Sequence, residues 1–318
     1  MTERLSPQDR QAVDRFCRHV GRGINRFDMI GPGDKVLIAV SGGKDSLAMS
    51  LALAERRRWV PVSYELEAVQ VEWREYPMTD EEKATLDRFY EDLGIPFRRI
   101  PAQIAPPSFQ RKFSCYTCAR NRKRILFDEA ARVGATKIAL GHHMDDVART
   151  TLMNLLFHGE FATMMPVQRF FQGAVCIIRP MCEVRESEVA RLARRLGLPA
   201  VPSRCPNSDS NQRKLMKELL RQASHVNRHA VSNLYGAPWK IKEEYLPGAL
   251  QRTPGGGRSL PLRLPSSATS TPTRRRWTRC SPVSMRRASP PLPAWGTWSV
   301  TGLTRMPVWP RCARARRT

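Results

Sequence analysis

Residues 35–53 read KVLIAVSGGKDSLAMSLAL: a short apolar run, two glycines and a second apolar run of helical length. The first run, residues 35–40, has the length and composition of a buried β-strand. Gly42 and Gly43 let backbone N–H groups approach an anion closely, and the N-terminus of a following helix adds partial positive charge. The segment therefore predicts a strand, a phosphate-binding loop and a helix.

The same alternation of apolar runs and helical periodicity continues along the chain and predicts the fold class. Further strands are predicted at Leu66–Val71, Phe97–Ile100, Lys137–Leu140 and Val175–Ile178. This order is typical of a parallel, doubly wound α/β sheet flanked by helices. Ser6-Pro7 marks the start of an N-terminal helix. C-terminal helices are predicted at Asn211–Val226 and Ser232–Tyr245.

The loop Ser41–Ser46 differs from a Walker loop, which ends in Gly-Lys-Ser/Thr after a longer spacing. A plain Gly-rich turn would explain the glycines, but not the agreement between strand, loop and helix. The order Ser-Gly-Gly-Lys-Asp-Ser resembles the pyrophosphatase loop (PP-loop) of the adenine nucleotide alpha hydrolase superfamily. Members of that superfamily cleave ATP to AMP and pyrophosphate by adenylating an acceptor oxygen.

A pair of cysteines, Cys115 and Cys118, stands at the start of another predicted helix. Basic residues follow the pair at Arg120, Arg122, Lys123 and Arg124. Cationic neighbours and a helix N-terminus lower thiol pKa values, which favours thiolates as metal ligands. The Cys-x-x-Cys spacing alone fits half a zinc site, a redox pair or part of an iron–sulfur site.

A third thiol is available at Cys205 or at Cys182. Three thiolates with an open position suit an iron–sulfur cluster better than a closed zinc site, which would need a second Cys-x-x-Cys pair. Cys205 is preferred because it lies in an irregular loop before a helix, beside Arg204. Cys176 lies in an apolar run and is expected to be a packing residue.

A polar loop, residues 141–146, directly follows the strand that ends at Leu140. It carries Gly141, two histidines, and the acidic pair Asp145-Asp146. In open α/β sheets ligands bind beyond the carboxyl ends of the strands. Asp146 is therefore a candidate for holding Mg²⁺ or orienting a proton transfer, with a metal site that includes His142 and His143 as the alternative.

The overall composition restricts which cellular compartment and which binding partners are expected. The 318 residues contain 41% hydrophobic residues, and no uninterrupted apolar run is long enough to span a membrane. The charged N-terminus lacks a signal core, so a cytoplasmic protein without a membrane partner is expected, and its eight cysteines are expected to be reduced. The net charge of +24 predicts a polyanionic partner such as RNA.

Residues 251–318 differ from the rest in composition. They hold 14 arginines and ten prolines but no Lys, Asp or Glu, so residues 1–250 carry a net charge of only +10. A disordered basic tail that contacts RNA is one interpretation. The joint absence of Phe, Tyr, Ile, Asn and Lys, whose codons are rich in A or T, favours a second one, a GC-rich reading frame translated out of register.

Taken together, these motifs resemble the tRNA 2-thiocytidine synthetases, iron–sulfur tRNA thiolation enzymes of the PP-loop superfamily. The similarity covers about residues 10–245 and includes Arg179-Pro180 besides the loops and cysteines above. It implies ATP, Mg²⁺ and a 4Fe-4S cluster as cofactors, with tRNA as substrate. The expected reaction is adenylation of the C2 oxygen of an anticodon-loop cytidine, position 32, followed by its replacement with sulfur.

The resemblance also assigns roles to individual residues. The cluster ligands are expected to be Cys115, Cys118 and Cys205. Catalytic roles are expected for Lys44, Asp45 and Asp146, the last of these as the Mg²⁺ ligand. Nucleotide binding is expected from Ser41, Gly42, Gly43, Lys44, Asp45, Ser46, Arg122 and Gly141. The sulfur donor would be a cysteine desulfurase or free sulfide. Whether the protein forms a homodimer stays an open question.

Two alternatives to this function stay open. In the thiocytidine branch a second cysteine usually stands where this chain has Ser203, so a tRNA 2-thiouridine synthetase is one rival. A lysidine-synthetase type PP-loop ligase is the other, although it would not need the thiols. The predicted organisation is an N-terminal helical segment (1–30), a PP-loop ATPase domain (31–200), a C-terminal helical segment (201–250) and a tail (251–318).

Overall fold

The computed structural model describes residues 5–104, 115–202, 204–205 and 211–246. Within these ranges six strands form one sheet: β1 (Lys35–Val40), β2 (Glu65–Trp73), β3 (Phe97–Ala102), β4 (Lys137–Leu140), β5 (Val167–Phe170) and β6 (Val175–Ile178). The strand order is β3-β2-β1-β4-β6-β5, and every neighbouring pair is parallel except β5 and β6.

Eight α-helices are described: α1 (Pro7–Arg26), α2 (Lys44–Arg57), α3 (Asp80–Asp92), α4 (Cys115–Val133), α5 (Met144–His158), α6 (Glu186–Leu196), α7 (Asn211–Val226) and α8 (Ala230–Gly236). Local sequence sets several of their starts. Ser6 accepts a hydrogen bond from the Asp9 backbone N–H at 3.2 Å, and Pro7 occupies the first turn of α1. Thr79 and Glu82 form a reciprocal capping box at the start of α3.

The core lies on both faces of the sheet, and α2 is its most buried helix. Leu47, Met49, Leu51 and Leu53 are fully buried because α2 contacts the sheet, α1 and α6. This explains why its sequence is apolar on every side instead of amphipathic. The helix that begins at the phosphate loop is therefore fixed rigidly in the protein.

The strand order places a topological switch point at the centre of the sheet. The chain leaves β1 towards β2 and β3 and then returns on the other side of β1 as β4. Loops that follow β1 and β4 therefore diverge and leave a crevice at the carboxyl edge of the sheet, which is where α/β proteins bind ligands. The predicted parallel, doubly wound α/β fold with an N-terminal helix and C-terminal helices is confirmed.

Two elements differ from the sequence prediction. Strand β5 was not predicted; it pairs antiparallel with β6 through a tight connection in which Phe171 and Gln172 have positive φ. The last helix was predicted to run from Ser232 to Tyr245, but α8 ends at Gly236 because Pro238 cannot continue it. Single 3₁₀ turns follow at Ala237–Trp239 and Glu243–Tyr245.

The chain divides into two units, Met1–Ile241 and Lys242–Thr318. The first holds the sheet and all eight helices named above; in the second, residues 242–246 are described. The finer boundaries at residues 30, 200 and 250 stay predictions, and the atypical segment 251–318 lies outside the described residues. None of the described helices combines the length and the apolar character needed to cross a membrane.

Candidate active site

The loop of residues 41–46 joins β1 to α2 and is held closed by its two serines. Ser46 Oγ donates to the Gly43 carbonyl oxygen at 2.9 Å, and the Ser41 backbone N–H donates to Ser46 Oγ at 3.3 Å. Gly42 has φ of +82°, a conformation that residues with a Cβ rarely adopt. Gly43 is the N-cap of α2 and has no side chain to cap it, so N–H groups of the first turn are available to an anion.

The loop after β4 packs directly against this phosphate loop. A Cβ on Gly141 would lie 3.2 Å from the Asp45 carbonyl carbon and 3.2 Å from Ser46 Cα. Glycine alone permits so close an approach of the two backbones without displacement. The contact brings two predicted motifs, residues 41–46 and 141–146, to one place at the switch point.

A buried histidine lies between the two predicted catalytic carboxylates. His143 Nε2 is 4.0 Å from Asp45 Oδ1 and 3.4 Å from Asp146 Oδ2. Lys44 Nζ donates to both carboxylate oxygens of Asp45, at 2.9 and 3.1 Å. The structure therefore gathers Lys44, Asp45 and Asp146 around His143, which sequence reasoning had treated only as an alternative metal ligand.

The two acidic residues of the 141–146 loop have different partners. Asp146 Oδ2 accepts from the His143 backbone N–H at 3.0 Å, and its Oδ1 accepts from Arg149 at 2.8 Å. Asp145 Oδ2 accepts from the Glu186 backbone N–H at 2.8 Å and so caps α6. Asp146 is thus oriented by the start of its own helix, while Asp145 serves the neighbouring helix.

A metal site made by the two histidines receives no support from the geometry. Among the described residues no three His, Cys, Asp or Glu side chains converge closely enough to hold one metal ion. Burial, followed by the nearby charge of Arg179, lowers the pKa of His142 from 6.5 to about 4. His142 is therefore a neutral ring near pH 7.

Two of the predicted cluster cysteines lie on the first turn of α4. Cys115 is exposed, Cys118 is partly buried, and Arg122 Nη2 donates to Cys118 Sγ at 3.9 Å. Burial raises the pKa of the Cys118 thiol, Arg122 lowers it, and the nearby Cys205 and Cys115 thiols raise it further. The cationic neighbour Arg122 lowers this pKa as expected, but burial outweighs the guanidinium and the pKa of Cys118 is raised.

The segment that carries Cys205 crosses the carboxyl edge of the sheet. The Val201 backbone N–H donates to the Gly42 carbonyl oxygen at 2.9 Å, and Arg204 pairs with Glu82 at 2.9 Å. Arg204 also donates to the Pro77 carbonyl oxygen, beyond the end of β2. The chain leading to the third predicted ligand is therefore held to the phosphate loop at one end and to the β2–α3 connection at the other. Ser203 and residues 105–114 and 206–210 lie outside the described part of the chain.

The other cysteines of the described chain are packing residues. Cys182 is fully buried and accepts a hydrogen bond from the Tyr235 hydroxyl at 3.9 Å, and its burial raises its thiol pKa to about 12. Cys176 lies on β6 and is 7% exposed. Cys17 is buried in α1 with its thiol 3.9 Å from the Ala52 carbonyl oxygen. These surroundings support the choice of Cys205 over Cys182.

The basic residues that follow Cys118 lie against aromatic rings. The Arg122 guanidinium lies 5.6 Å from the centre of the Trp73 ring, at the end of β2, and Lys123 Nζ lies 4.2 Å from the centre of the Phe170 ring. Arg122 was predicted to bind nucleotide; the structure places it beside Cys118 and Trp73. Its role towards ATP stays a prediction.

Buried polar atoms without a hydrogen-bond partner concentrate near the carboxyl edge of the sheet. In the described part of the chain they belong to Gln70, Trp73, Glu75, Arg99, His142, His143 and Arg179. All but Arg99 lie in the carboxyl-terminal half of a strand or just beyond it. Such atoms are normally satisfied, so this edge of the sheet is where ligands or water would complete their hydrogen bonds. Sequence reasoning missed Gln70, Trp73 and Glu75, because no motif singles them out.

Fold and site together define a nucleotide-binding α/β protein in which a phosphate loop at the switch point is accompanied by a set of cysteines. Residues 15–223 match the PP-loop domain family. A tRNA-cytidine(32) 2-sulfurtransferase of Polynucleobacter asymbioticus is 35% identical over 247 residues, which cover 75% of this chain and 80% of that protein. The chain therefore belongs to the PP-loop family and, within it, to the tRNA-cytidine(32) 2-sulfurtransferases.

A second relative and a solved structure are also similar to this chain. A tRNA-cytidine(32) 2-sulfurtransferase of Variovorax paradoxus is 34% identical over 240 residues, covering 73% of this chain and 76% of that protein. The solved structure of the U34-tRNA thiolase NcsA from Methanococcus maripaludis with its 4Fe-4S cluster superposes with a TM-score of 0.58 at 23% identity. It covers 76% of this chain and 81% of that protein, and at this identity it bears on the fold alone.

Proposed function

We propose that this protein is an ATP-dependent enzyme that replaces the C2 oxygen of cytidine 32 in tRNA with sulfur. The observation that carries the proposal is the meeting of a phosphate loop and thiols at one sheet edge. The hydrogen bond from the Val201 backbone N–H to the Gly42 carbonyl joins the Cys205 segment to the phosphate loop. The Cys205 and Cys115 thiols both raise the pKa of the Cys118 thiol. Relatives named tRNA-cytidine(32) 2-sulfurtransferase match the chain at 32–35% identity.

The first chemical step is activation of the cytosine C2 oxygen, which is a poor leaving group. The oxygen attacks the α-phosphate of ATP, and pyrophosphate departs. Backbone N–H groups of residues 41–46 and the start of α2 bind the phosphates. Lys44 offsets the negative charge that develops on the phosphate oxygens. Asp45 and Asp146 would hold Mg²⁺, because carboxylate oxygens are its preferred protein ligands.

The second step replaces the activated oxygen. A sulfur atom forms a bond to C2, and AMP leaves with the former C2 oxygen. Cys115 and Cys118 lie one helical turn apart on α4, and Cys205 is near enough to Cys118 to raise its thiol pKa. These three thiols would hold a 4Fe-4S cluster. When bound by three thiolates, such a cluster supplies one open iron for delivering sulfur.

Substrate and donor follow from the same assignment. Basic side chains of α4, Arg120, Lys123 and Arg124, would contact tRNA phosphates, together with the face of α6 that carries Arg191, Arg194 and Arg195. A cysteine desulfurase or free sulfide would supply the sulfur in the cytoplasm. In this assignment His143 lies between the two carboxylates, with Nε2 4.0 Å from Asp45 Oδ1 and 3.4 Å from Asp146 Oδ2.

Mass spectrometry of tRNA nucleosides tests the proposal. Deletion of the gene is expected to remove 2-thiocytidine from tRNA, and a plasmid copy of the wild-type chain is expected to restore it. A Cys176→Ser copy should restore it equally, because Cys176 is a packing residue of β6. Loss of a 2-thiouridine with 2-thiocytidine intact would contradict the proposed substrate and favour a thiouridine synthetase.

A further inference from the structure

One buried arginine at the carboxyl edge of the sheet lacks an acidic partner. Arg179 follows β6 directly and is 7% exposed. One of its terminal nitrogens donates to the Met165 carbonyl oxygen, while Nε has no acceptor. In the described part of the chain no carboxylate forms an ion pair with it. Burial lowers its pKa to about 10, so the guanidinium is still charged near pH 7.

Two further nitrogen-bearing side chains approach Arg179 from neighbouring elements. Strand register pairs Ala139 with Ile178, so Arg179 follows β6 opposite Leu140, two residues before His142. Arg179 is close enough to His142 for its charge to lower the pKa of that ring. His142 Nδ1 is buried and has no hydrogen-bond partner among the described residues. Lys123 approaches from α4 with its ammonium over the Phe170 ring, and both burial and Arg179 lower its pKa.

The acidic residues of the phosphate loop and of the 141–146 loop form ion pairs with other cations. Asp145 pairs with Arg185 at 3.2 Å, Asp146 pairs with Arg149 at 2.8 Å, and Asp45 binds Lys44. The charges of Arg179 and Lys123 are partly buried without a nearby anion among the described residues, which is unfavourable because no ion pair offsets the loss of hydration. An anionic ligand would offset this loss of hydration and would also accept hydrogen bonds from the unpaired nitrogens of Arg179 and His142.

We propose that Arg179, Lys123 and His142 form a second phosphate site that binds a backbone phosphate of the RNA substrate. This inference rests on the proposed function. The phosphate loop follows β1, whereas Arg179 follows β6, and β4 lies between them. Two strand spacings amount to about 10 Å, so Arg179 is separate from the ATP phosphates, while His142 follows the intervening strand β4. An RNA chain, with a phosphate on every nucleotide, can place one there while its target base reaches the carboxylates.

The test compares RNA binding and nucleotide binding by the same variants. Wild type, Arg179→Met, Lys123→Met and a control, Arg88→Met, are each titrated with a fluorescent tRNA anticodon stem-loop and with a non-hydrolysable ATP analogue. Arg88 is exposed on α3, beside the opposite edge of the sheet, and within the described part of the chain it donates only to its own helix, at the Ala84 carbonyl oxygen. The control therefore removes one positive charge far from the proposed site.

Arg179→Met is expected to weaken stem-loop binding roughly 10- to 100-fold, the loss of a charge-assisted hydrogen bond. It should also reduce the slope of log affinity against log salt by about one. ATP-analogue affinity should be unchanged, and Arg88→Met should bind like wild type. Unchanged stem-loop binding, a loss confined to the ATP analogue, or an equal loss in Arg88→Met would each overturn the proposal.

Thermal unfolding of each variant shows whether a binding loss is merely a folding loss. If Arg179→Met fails to fold without its bond to Met165, Lys123→Met carries the test, since its described contacts are with aromatic rings. Binding is measured without turnover, so the outcome does not depend on thiolation. A wild-type chain that binds no RNA would contradict the proposed function. One that binds RNA independently of Arg179 and Lys123 would contradict this site and the tRNA contact assigned to Lys123, and would leave the proposed thiolation standing.

Discussion

Gly141 lies so close to Ser46 that a Cβ at position 141 would stand 3.1 Å from the Ser46 backbone nitrogen. The contact joins the end of β4 to the start of α2, with no side chain between them. It fixes the distance between the carboxylate loop and the phosphate loop. The relative position of the two loops therefore depends on the absence of one methyl group.

Gly141→Ala is expected to destabilise the protein and weaken nucleotide binding. The added methyl must push the phosphate loop away, which by analogy with overpacked cores costs about 1–3 kcal/mol. Gly236→Ala is the matched control, because a Cβ at position 236 meets nothing within 4 Å. Urea unfolding and titration with an ATP analogue measure the two effects. Equal behaviour of the two variants would show that the loops tolerate the displacement.

Asp45→Asn and Asp146→Asn are each expected to lower thiolation about 100-fold or more while leaving the cluster iron unchanged. The amide keeps an oxygen that can accept from the His143 backbone N–H, so the start of α5 should survive in Asp146→Asn. Asp146→Ala also removes this acceptor and should lose stability in addition. Single-turnover thiolation and iron counting separate the effects. Normal product yield in either Asn variant would exclude that carboxylate from the mechanism.

Serine substitutions of Cys115, Cys118 and Cys205 are each expected to lose the cluster. Cys182→Ser should retain it, because Cys182 is fully buried against Tyr235. The measurement is anaerobic reconstitution followed by iron counting and absorption spectra. If Cys205→Ser retained a full cluster while Cys182→Ser lost it, the ligand assignment would be wrong.

His142 is expected to make stability fall as the pH is lowered. The pKa of His142 is about 4 in the folded protein and 6.5 for an unperturbed ring, as in the unfolded chain. Between these two pH values the ring is protonated in the unfolded chain and neutral in the folded protein. The free energy of unfolding therefore keeps its full value above pH 6.5 and decreases as the pH falls towards about 4, by up to about 3 kcal/mol. His142→Gln should flatten this part of the profile.

The control for this pH profile is His158→Gln, since His158 is exposed at the end of α5. It should leave the wild-type profile unchanged. The measurement is urea unfolding at several values between about pH 7 and about pH 4.5. Parallel profiles for wild type and His142→Gln would show that another group causes the acid sensitivity.

A chain that ends at Leu250 is expected to fold and to retain thiolation, because residues 251–318 carry no core-forming pattern. A chain that ends at Val226 should be unstable, since it lacks the buried Val231 and Tyr235 of α8. Thermal unfolding and tRNA binding distinguish the outcomes. A folded 250-residue chain that loses tRNA affinity would show that the basic tail is functional.

The parts of the fold that sequence predicted are those where several local signals agree. At residues 35–53 strand composition, glycine positions and helix pattern all indicate the same elements. Strand β5 gave no such agreement: it has four residues, two of them Gln168 and Arg169, and its pairing depends on positive φ at Phe171. An edge strand is defined by its partner, which a linear pattern does not contain.

The candidate site shows the same division. The motifs placed Ser41–Ser46 and Asp146 at strand ends, and the strand order then brought them together. The pKa of Cys118 could not be foreseen, because its burial comes from parts of the chain remote in sequence, with Glu75 and Cys205 among its neighbours. The sequence shows that Arg122 lies one helical turn from Cys118, but it does not show the residues that bury the Cys118 thiol. The assigned roles of these residues stay predictions until the variants are measured.

The hydrogen bond between Val201 and Gly42 uses main-chain atoms on both sides. Any amino acid except proline can donate it at position 201, and the carbonyl at position 42 is present whatever the side chain. Substitution at one position therefore imposes no compensating substitution at the other. In an alignment of homologues these two positions would show no co-variation, although they join the segment of the third cysteine to the phosphate loop.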